Sequence, residues 1–585
     1  MTTLASRQLG PVIAMQGSTI TVELMPGNNQ GDKRATVGTF VGVHAGNDYL
    51  VGNVSRLTAE RGGPARAEIT LLGQFALNKD SSFAFHRGAR YYPAIGDNVE
   101  FLPNEHLKQI YQDPTRASSA IGWLCQDSKV PVYLDVNDLL FKHFAVLGTT
   151  GVGKSSAVAL IIDRALQARN DIRVFLIDVH SEYTKCFSGR VHTITPHSLK
   201  LPFWLFSLEE ITDVIYSGRS PADEEVEVLA EAIAYAKNKY ASYKDAGDRA
   251  SVRRSATRFS EYTVDTPVPY LLQDLIANID DRMGRLENRA LRLVHHRLIA
   301  RIEAIRNNPR YAFMFENANV GGDVMSELIT SLFRLTHEDQ PITLMQLAGL
   351  PTEVVDAVVS VLCRLAFEFG VWSDGAVPLL FVCEEAHRYA AADKSIGFTP
   401  IRRALSRIAK EGRKYGVTLA LVTQRPAEID PAIISQCSTI FAMRMLNDRD
   451  QEFMACAVAD APHLLEYIPL LGTREVAVFG EGVSFPALMR FEKLPVGSVP
   501  RSDSGVRGTA ALRSTVGSDF VDSVVERWRG ATMSREGHAA ERATGLANQS
   551  SHPPQNTSVS DALDKVHQRI LNRPVRPAVP ELSKR

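Results

Sequence analysis

The stretch LGTTGVGKSS, Leu147 to Ser156, decides how this sequence is read. It follows an apolar run, Phe144 to Leu147, of the kind that forms a buried strand. It opens into AVALIIDRALQAR, Ala157 to Arg169, whose apolar residues recur at helical spacing. Gly148, Gly153, Lys154 and Ser155 fit G-x-x-x-x-G-K-[ST] between that strand and that helix. Glycines let the backbone curl so that its N–H groups point at a phosphate chain, and the helix N-terminus adds its dipole. Gly148, Thr149, Thr150, Gly151, Val152, Gly153, Lys154, Ser155 and Ser156 are therefore the expected ATP-binding set. Lys154 reaches the β- and γ-phosphates, and the Ser155 hydroxyl ligates Mg²⁺. A glycine-rich turn with a chance Lys-Ser is the bland reading, and it leaves the flanking strand and helix unexplained.

Binding is not hydrolysis, which also needs a metal-side acid and a group that activates water. PLLFVCEEAH, Pro378 to His387, is an apolar strand running out into two acids, placed where the carboxyl edge of a parallel sheet would face the P-loop. Glu384 is expected on the Mg²⁺ side, through a water, and Glu385 as the general base. VTLALVTQRP, Val417 to Pro426, is the next strand, and Gln424 at its tip can sense the γ-phosphate or orient the attacking water. A second strand, Ile172 to His180 with Ser-Glu-Tyr continuing it, carries Asp178 and Glu182. For these two a capping role weighs nearly as much as one at the nucleotide. Between acids and sensor lies a basic run: Arg402, Arg403, Arg407, Lys410, Arg413 and Lys414. Most of it reads as solvated charge, but in a ring one arginine could enter the neighbour's site and offset transition-state charge. Arg413 is the first choice for that catalytic role, with Arg425 and Arg444 in reserve.

Bulk composition narrows the setting. The chain has 585 residues, 45% of them hydrophobic, enough for two or three domains with real cores. Its formal net charge is −1, so no global basic field announces nucleic acid; DNA contact must come from local patches or from a ring of subunits. Six scattered cysteines without a C-x-x-C argue against zinc and a disulfide framework. MTTLASRQLG lacks the pattern of a signal peptide, and no apolar run approaches the ~20 residues of a membrane span. A cytoplasmic protein with no membrane contact is expected.

Along the chain, residues 1–110 alternate like short strands separated by Gly, Asn and Pro turns, which suggests a small N-terminal β-barrel. His44 and His86 stand alone there and read as structural. Residues 111–204 hold a connector and the first part of the ATPase core. Residues 205–335 read as a helical insertion, with Ser207 a helix N-cap in FSLEEITDVI. Arg285 to Asn308 reads as a long basic helix; with Asp280, Asp281, Glu287 and Glu303 beside it, a solvated face is favoured over a DNA-facing one. Residues 336–495 resume the core and end in a hairpin, Arg474 to Phe491. Residues 496–585 are low in complexity and expected to be largely disordered, with DFVDSVVERW and VSDALDKVHQRIL as short docking helices. The fold class is α/β: a RecA-like P-loop ATPase core with a helical insertion, preceded by the barrel.

These motifs together resemble the HerA family. The β-rich leader looks like its HAS-barrel, and VPVYLDVNDLLFKHFAVLGTTGVGKS its run into the P-loop. FLIDVHSEY is similar to its D-x-H-G-E-Y element, with Ser181 where glycine is usual. EEAHRY, IAKEGRKYGVTLALVTQRPAEIDPAIISQC and the terminal hairpin also look like HerA, so the likeness covers about residues 8 to 495. It departs at Glu384, where the family's pair usually reads Asp-Glu. The resemblance implies a hexameric ring that pumps double-stranded DNA with ATP and Mg²⁺. It also implies a separate effector, a nuclease or a Sir2-like NADase, docked on the barrel, in DNA processing or anti-phage defence. The alternative is a ring scaffold whose nucleotide switches an effector with little pumping. A small-molecule kinase would leave the barrel unexplained.

Overall fold

The computed structural model describes residues 8–501, apart from 26–34, 46–47, 60–62, 78–82, 112–116, 197, 217–218, 220, 248–261, 286–287, 317, 319–322, 394–398 and 459–461, together with residues 522 and 525. The two expected docking helices of the tail and Glu287 lie outside the described residues, residues 522 and 525 excepted. One compact unit comprises residues 1–306 and 310–516, and a second, 307–309 with 517–585, lies almost wholly outside the described residues.

The first seven strands are β1 (Gln8–Gln16), β2 (Thr19–Glu23), β3 (Phe40–Ala45), β4 (Asp48–Ala59), β5 (Ala65–Leu77), β6 (Phe83–Arg87) and β7 (Asn98–Phe101). They pair in the order β2-β1-β7-β3-β4-β5-β6, and β2 also pairs antiparallel with β5, from Thr19 opposite Thr70 to Glu23 opposite Arg66. That pairing closes six strands into a barrel, and closure removes the open edges that would otherwise invite other chains. Alternation fills the interior: Leu9, Val12, Ile20, Val22, Val41 and Ile69 are fully buried.

Arg87, at the end of β6, ties the barrel to the rest of the unit. Its guanidinium donates to the carbonyls of Ser484 (2.9 Å), Val483 (2.8 Å) and Gly480 (3.1 Å). Phe85 meets Phe485 edge-on at 5.9 Å.

The second sheet has eleven strands. After α1 (Asn104–Ile110) come β8 (Ser118–Leu124), β9 (Pro131–Asp135), α2 (Val136–Phe141), β10 (His143–Leu147), α3 (Lys154–Ala168), β11 (Arg173–Asp178) and β12 (Val191–Ile194). The helical stretch comes next as α4 (Leu208–Tyr216), α5 (Asp223–Gly247), α6 (Leu272–Arg285), α7 (Arg289–Asn307), α8 (Ala312–Phe315) and α9 (Met325–Leu332). The chain returns to the sheet with β13 (Ile342–Gln346), α10 (Thr352–Trp372), β14 (Leu379–Cys383), α11 (Thr399–Glu411), β15 (Val417–Thr423), β16 (Cys437–Ala442), β17 (Glu475–Gly480) and β18 (Ala487–Phe491).

The strand order is β12-β13-β11-β14-β15-β10-β16-β17-β18-β8-β9. From β12 to β16 every pair is parallel, and from β16 to β9 every pair is antiparallel. The parallel strands are covered on both faces, which is why β10, β11, β14 and β15 are buried at every residue and read as largely apolar runs.

Three sequence expectations change here. The second strand stops at Asp178, and Ser-Glu-Tyr does not continue it: Ser181 has φ +56°, a left-handed backbone incompatible with a strand. The basic helix expected from Arg285 to Asn308 begins at Arg289. The connector expected before the core instead forms β8 and β9, the far edge of the ATPase sheet. Its partner β18 lies more than three hundred residues on, so no local pattern announces the pairing. Gly122 makes it possible, because a Cβ there would sit 2.1 Å from the Arg490 carbonyl oxygen.

The helical stretch is pinned to the core by one buried acid. Ser207 Oγ accepts from the Glu210 N–H (3.3 Å) and Glu210 Oε2 from the Ser207 N–H (2.9 Å), the reciprocal cap expected of Ser207. Glu210 also binds Arg364 of α10 at 2.8 Å and Ser360 at 3.1 Å.

Replacing Gly122 with valine should push β8 off β18. We expect Gly122→Val to lower the stability of the full chain by about 3 kcal/mol or more in urea titration, the upper range for overpacking; an unchanged midpoint would refute the close approach.

Candidate active site

The P-loop grows out of β10, and its neighbours hold its base. The Gly148 N–H donates to the Thr423 carbonyl (3.2 Å), and the Thr149 N–H and hydroxyl both donate to the Arg444 carbonyl (2.9 and 3.1 Å). Gly148 has φ +154°, and a Cβ there would lie 2.8 Å from Met443 Cβ. Gly153 has φ +106° and delivers the chain into α3. Glycine is thus required at Gly148 by backbone and space, and at Gly153 by backbone alone.

Around the loop lies a cavity of about 880 Å³ lined by Thr150, Lys154, Ser155, Ser156, Glu384, Glu385 and Gln424, among others. The paired acids, the polar strand tip and the loop therefore share one space at the carboxyl edge of the sheet. The Thr150 hydroxyl donates to Gln424 Oε1. Lys154 Nζ donates to the Thr149 carbonyl at 3.0 Å, folded back onto its own loop. Burial lowers the Lys154 pKa, against the raising pull of Glu385, Glu384 and Glu182. The Ser155 hydroxyl donates to Glu182 Oε2 at 2.7 Å.

Asp178 organises the turn that brings Glu182 there. It is fully buried, and its two oxygens accept the N–H groups of Glu182 and Tyr183, each at 3.1 Å. Burial raises its pKa while those two N–H groups lower it. The Tyr183 hydroxyl donates to Glu384 Oε1. Glu384 is nearly fully buried, and burial pushes its pKa up to about 8, opposed by the Tyr183 bond.

Glu385 stands apart in character. Its backbone is left-handed, φ +50°, which turns the side chain off the end of β14. Two histidines flank the carboxylate, His180 Nε2 3.5 Å from Oε1 and His387 Nδ1 3.3 Å from Oε2. Oε2 is buried and has no hydrogen-bond partner. His387 Nδ1 lies 3.1 Å from the Thr423 hydroxyl, so Glu385 is linked to the strand that carries Gln424. Burial lowers the His387 pKa, which favours the neutral ring. A strained acid in a polar cavity, with a buried oxygen that accepts no hydrogen bond, suits a group that takes a proton from water.

The residues fit ATP and Mg²⁺. Lys154 rests on a loop carbonyl from which a phosphate would draw it, Ser155 already stands beside a carboxylate, the carboxylates are hard oxygen donors, and glycine clears the backbone for close approach. Among the described residues no cluster of three His, Cys, Asp or Glu side chains forms a preset metal site. A magnesium ion held largely by nucleotide and one or two protein oxygens needs none.

The candidate arginines lie elsewhere. Arg413 is exposed, on the turn Gly412–Tyr415 just before β15, at the opposite end of that strand from Gln424. Arg425 pairs with Glu428 at 2.9 Å, and Arg444 meets the loop through its backbone carbonyl. Arg403 and Arg407 are bound within the chain to Glu209 and Glu368. Among the described residues lining the cavity there is no arginine.

Sequence reasoning passes over Tyr183, His180 and His387 as site residues, although the motifs FLIDVHSEY and EEAHRY contain all three. It has no means of finding Pro500, which lines the cavity from beyond the final hairpin while the Arg501 N–H donates to the Glu182 carbonyl at 3.1 Å.

Residues 119–366 match a family model described as the central domain of helicase HerA. The chain is similar to the DNA double-strand break repair helicase HerA of Pyrococcus furiosus, 26% identical over 467 residues, which are 74% of this chain and 77% of that one. It is similar to a probable helicase of Methanocaldococcus jannaschii, 26% identical over 428 residues, 69% and 75% of the two chains. Among solved structures it is similar to VirB4 of Thermoanaerobacter pseudethanolicus, with a TM-score of 0.46 and 15% identity, covering 65% of this chain and 97% of that one.

The buried acids give two expectations. In EDTA and without nucleotide, the fold keeps a proton on Glu384 that the unfolded chain releases above about pH 4.5. The stability due to this group is whole at low pH and is lost as pH rises towards about 8. Glu384→Gln should therefore match the wild type near pH 5 and exceed it above pH 8 by on the order of a few kcal/mol in urea titrations; parallel pH profiles would contradict the burial argument. Asp178→Ala strips two backbone donors of their partner and should cost about 2 kcal/mol or more. It should also weaken ATP binding, read by fluorescent-nucleotide titration, because the turn carrying Glu182 is no longer held.

Proposed function

We propose that this HerA-family chain is an ATP-hydrolysing motor that acts on double-stranded DNA. The observation that carries the reading is the single cavity in which Lys154 and Ser155 of the P-loop face Glu384, Glu385 and Gln424. The backbone of Gly148 to Ser156 cradles the phosphates, with Lys154 on the β- and γ-phosphates and Gln424 placed to register the γ-phosphate through Thr150. Glu385, turned off its strand and flanked by His180 and His387, takes the proton from the attacking water. Ser155, with Glu182 and Glu384 on its side of the cavity, would hold Mg²⁺, which when bound would supply neutralisation of phosphate charge.

The motor works as a hexameric ring. Support comes from the arginines: a hydrolysis site of this kind gains from a cation at the transition state, and among the described residues lining the cavity Lys154 is the one lysine and there is no arginine. Arg413, exposed at the other end of β15, is the residue we assign to a neighbour's site. A ring also reconciles DNA binding with a net charge of −1, since modest basic patches sum around a pore. Among the described residues no helix is long and apolar enough to cross a membrane. A separate effector, a nuclease or NADase, docks on the barrel, in DNA processing or anti-phage defence. What favours that surface is the loop after β6, where Tyr91, Tyr92 and Ile95 are all more than half exposed.

Steady-state ATPase assays with and without duplex DNA test the reading. Wild-type turnover should rise at least several-fold with duplex and fall with salt, and Lys154→Ala or Glu385→Gln should lower it about 100-fold or more. Arg413→Ala should abolish turnover alone and regain part of it when mixed with Glu385→Gln subunits. Hydrolysis indifferent to DNA, with effector control intact in Glu385→Gln, would instead favour a nucleotide-switched scaffold.

A further inference from the structure

The cavity holds two acids on its metal side, and they are not equivalent. The Ser155 hydroxyl, the P-loop group that meets Mg²⁺, already donates to Glu182 Oε2 at 2.7 Å. Neighbouring oxygens around an octahedral magnesium ion stand about 3 Å apart, since each lies about 2.1 Å from the metal. Ser155 and Glu182 are thus spaced as a ligand pair before any ion arrives. Glu384 is engaged differently: it is nearly fully buried at the end of β14, and one of its oxygens accepts the Tyr183 hydroxyl.

The backbone holds Glu182 from both sides. Its N–H is bound by Asp178 Oδ1 at 3.1 Å, and its carbonyl accepts the Arg501 N–H at 3.1 Å. Ser181 before it is left-handed, φ +56°, which makes the sharp turn that points residue 182 back at the P-loop. A single buried acid, Asp178, therefore positions both Glu182 and the tyrosine that engages Glu384.

We infer that Glu182 is the protein carboxylate that completes the Mg²⁺ site with Ser155, and that Glu384, held by Tyr183, reaches the ion only through water. This rests on the ATPase reading above. It also explains why the first member of the acid pair can be a glutamate: a residue that does not touch the metal directly is not bound to the reach of aspartate. The competing role for Glu182 is a cap on Ser155 that leaves when nucleotide and metal bind.

Equilibrium binding of a fluorescent ADP to the full-length protein, titrated with Mg²⁺ from a metal-free start, separates the two. Glu182→Gln keeps the side chain's size and an acceptor for Ser155 but removes the charge. The wild type should bind ADP more tightly as Mg²⁺ is added. Glu182→Gln should bind metal-free ADP within about twofold of the wild type and lose about tenfold or more of the Mg²⁺-dependent gain. Glu384→Gln should keep most of that gain, and Glu182→Asp should shift the Mg²⁺ midpoint while leaving metal-free binding alone. A full Mg²⁺ gain in both Glu182 variants, or its loss in Glu384→Gln alone, would overturn the assignment and leave the ATPase reading standing. A wild type that binds no nucleotide at any Mg²⁺ concentration would remove both.

Discussion

Asp178 accepts the N–H groups of Glu182 and Tyr183, one on each carboxylate oxygen, and the site is assembled around that clamp. A fully buried acid is costly to ionise, and two charge-assisted backbone bonds are what make it tolerable. In return the turn after β11 has one geometry. Glu182 is aimed at Ser155, Tyr183 at Glu384, and His180 at Glu385. Three polar contacts that reach the end of β14 and the P-loop helix thus depend on one side chain that touches no solvent.

The parallel sheet does the rest by placing strand ends together. β11, β14, β15 and β10 are consecutive neighbours, so the residues just past Asp178, Cys383, Thr423 and Leu147 emerge at one edge. Each strand end contributes one kind of group: the Asp178 clamp with Glu182, the paired carboxylates Glu384 and Glu385, the Gln424 amide, and the glycine loop. Their cross-links run through short polar side chains, with Thr423 meeting both His387 and the Arg425 N–H, and Gln424 accepting from Thr150. Glu385 and Gln424 are thereby tied to the same strand end.

Much of this is legible in residue order, and the reasons are physical. Buried parallel strands are continuous apolar runs, so Phe144–Leu147, Leu379–Cys383 and Val417–Thr423 stand out, and the polar residues just past them mark the active edge. The reciprocal cap at Ser207 is local and equally visible. The illegible parts depend on long-range pairing or on backbone sign. β8 and β9 look like a linker because their partner is β18. The strand reads on through Ser181 because nothing in a serine announces φ +56°, although the glycine usual in the resembling element suits that conformation. Tyr183 looks like core and is core, yet its hydroxyl is what occupies Glu384. Pro500 reaches the cavity from beyond the final hairpin, a contact no periodicity could reveal.

The measurement that bears most directly on the central claim is a structure of the full-length protein with Mg²⁺ and a non-hydrolysable ATP analogue. Phosphates are expected in the cradle of Gly148 to Ser156, with Lys154 withdrawn from the Thr149 carbonyl onto them and the γ-phosphate facing Glu385 and Gln424. Nucleotide bound elsewhere, or phosphates in the loop with Glu385 turned away from them, would contradict that claim.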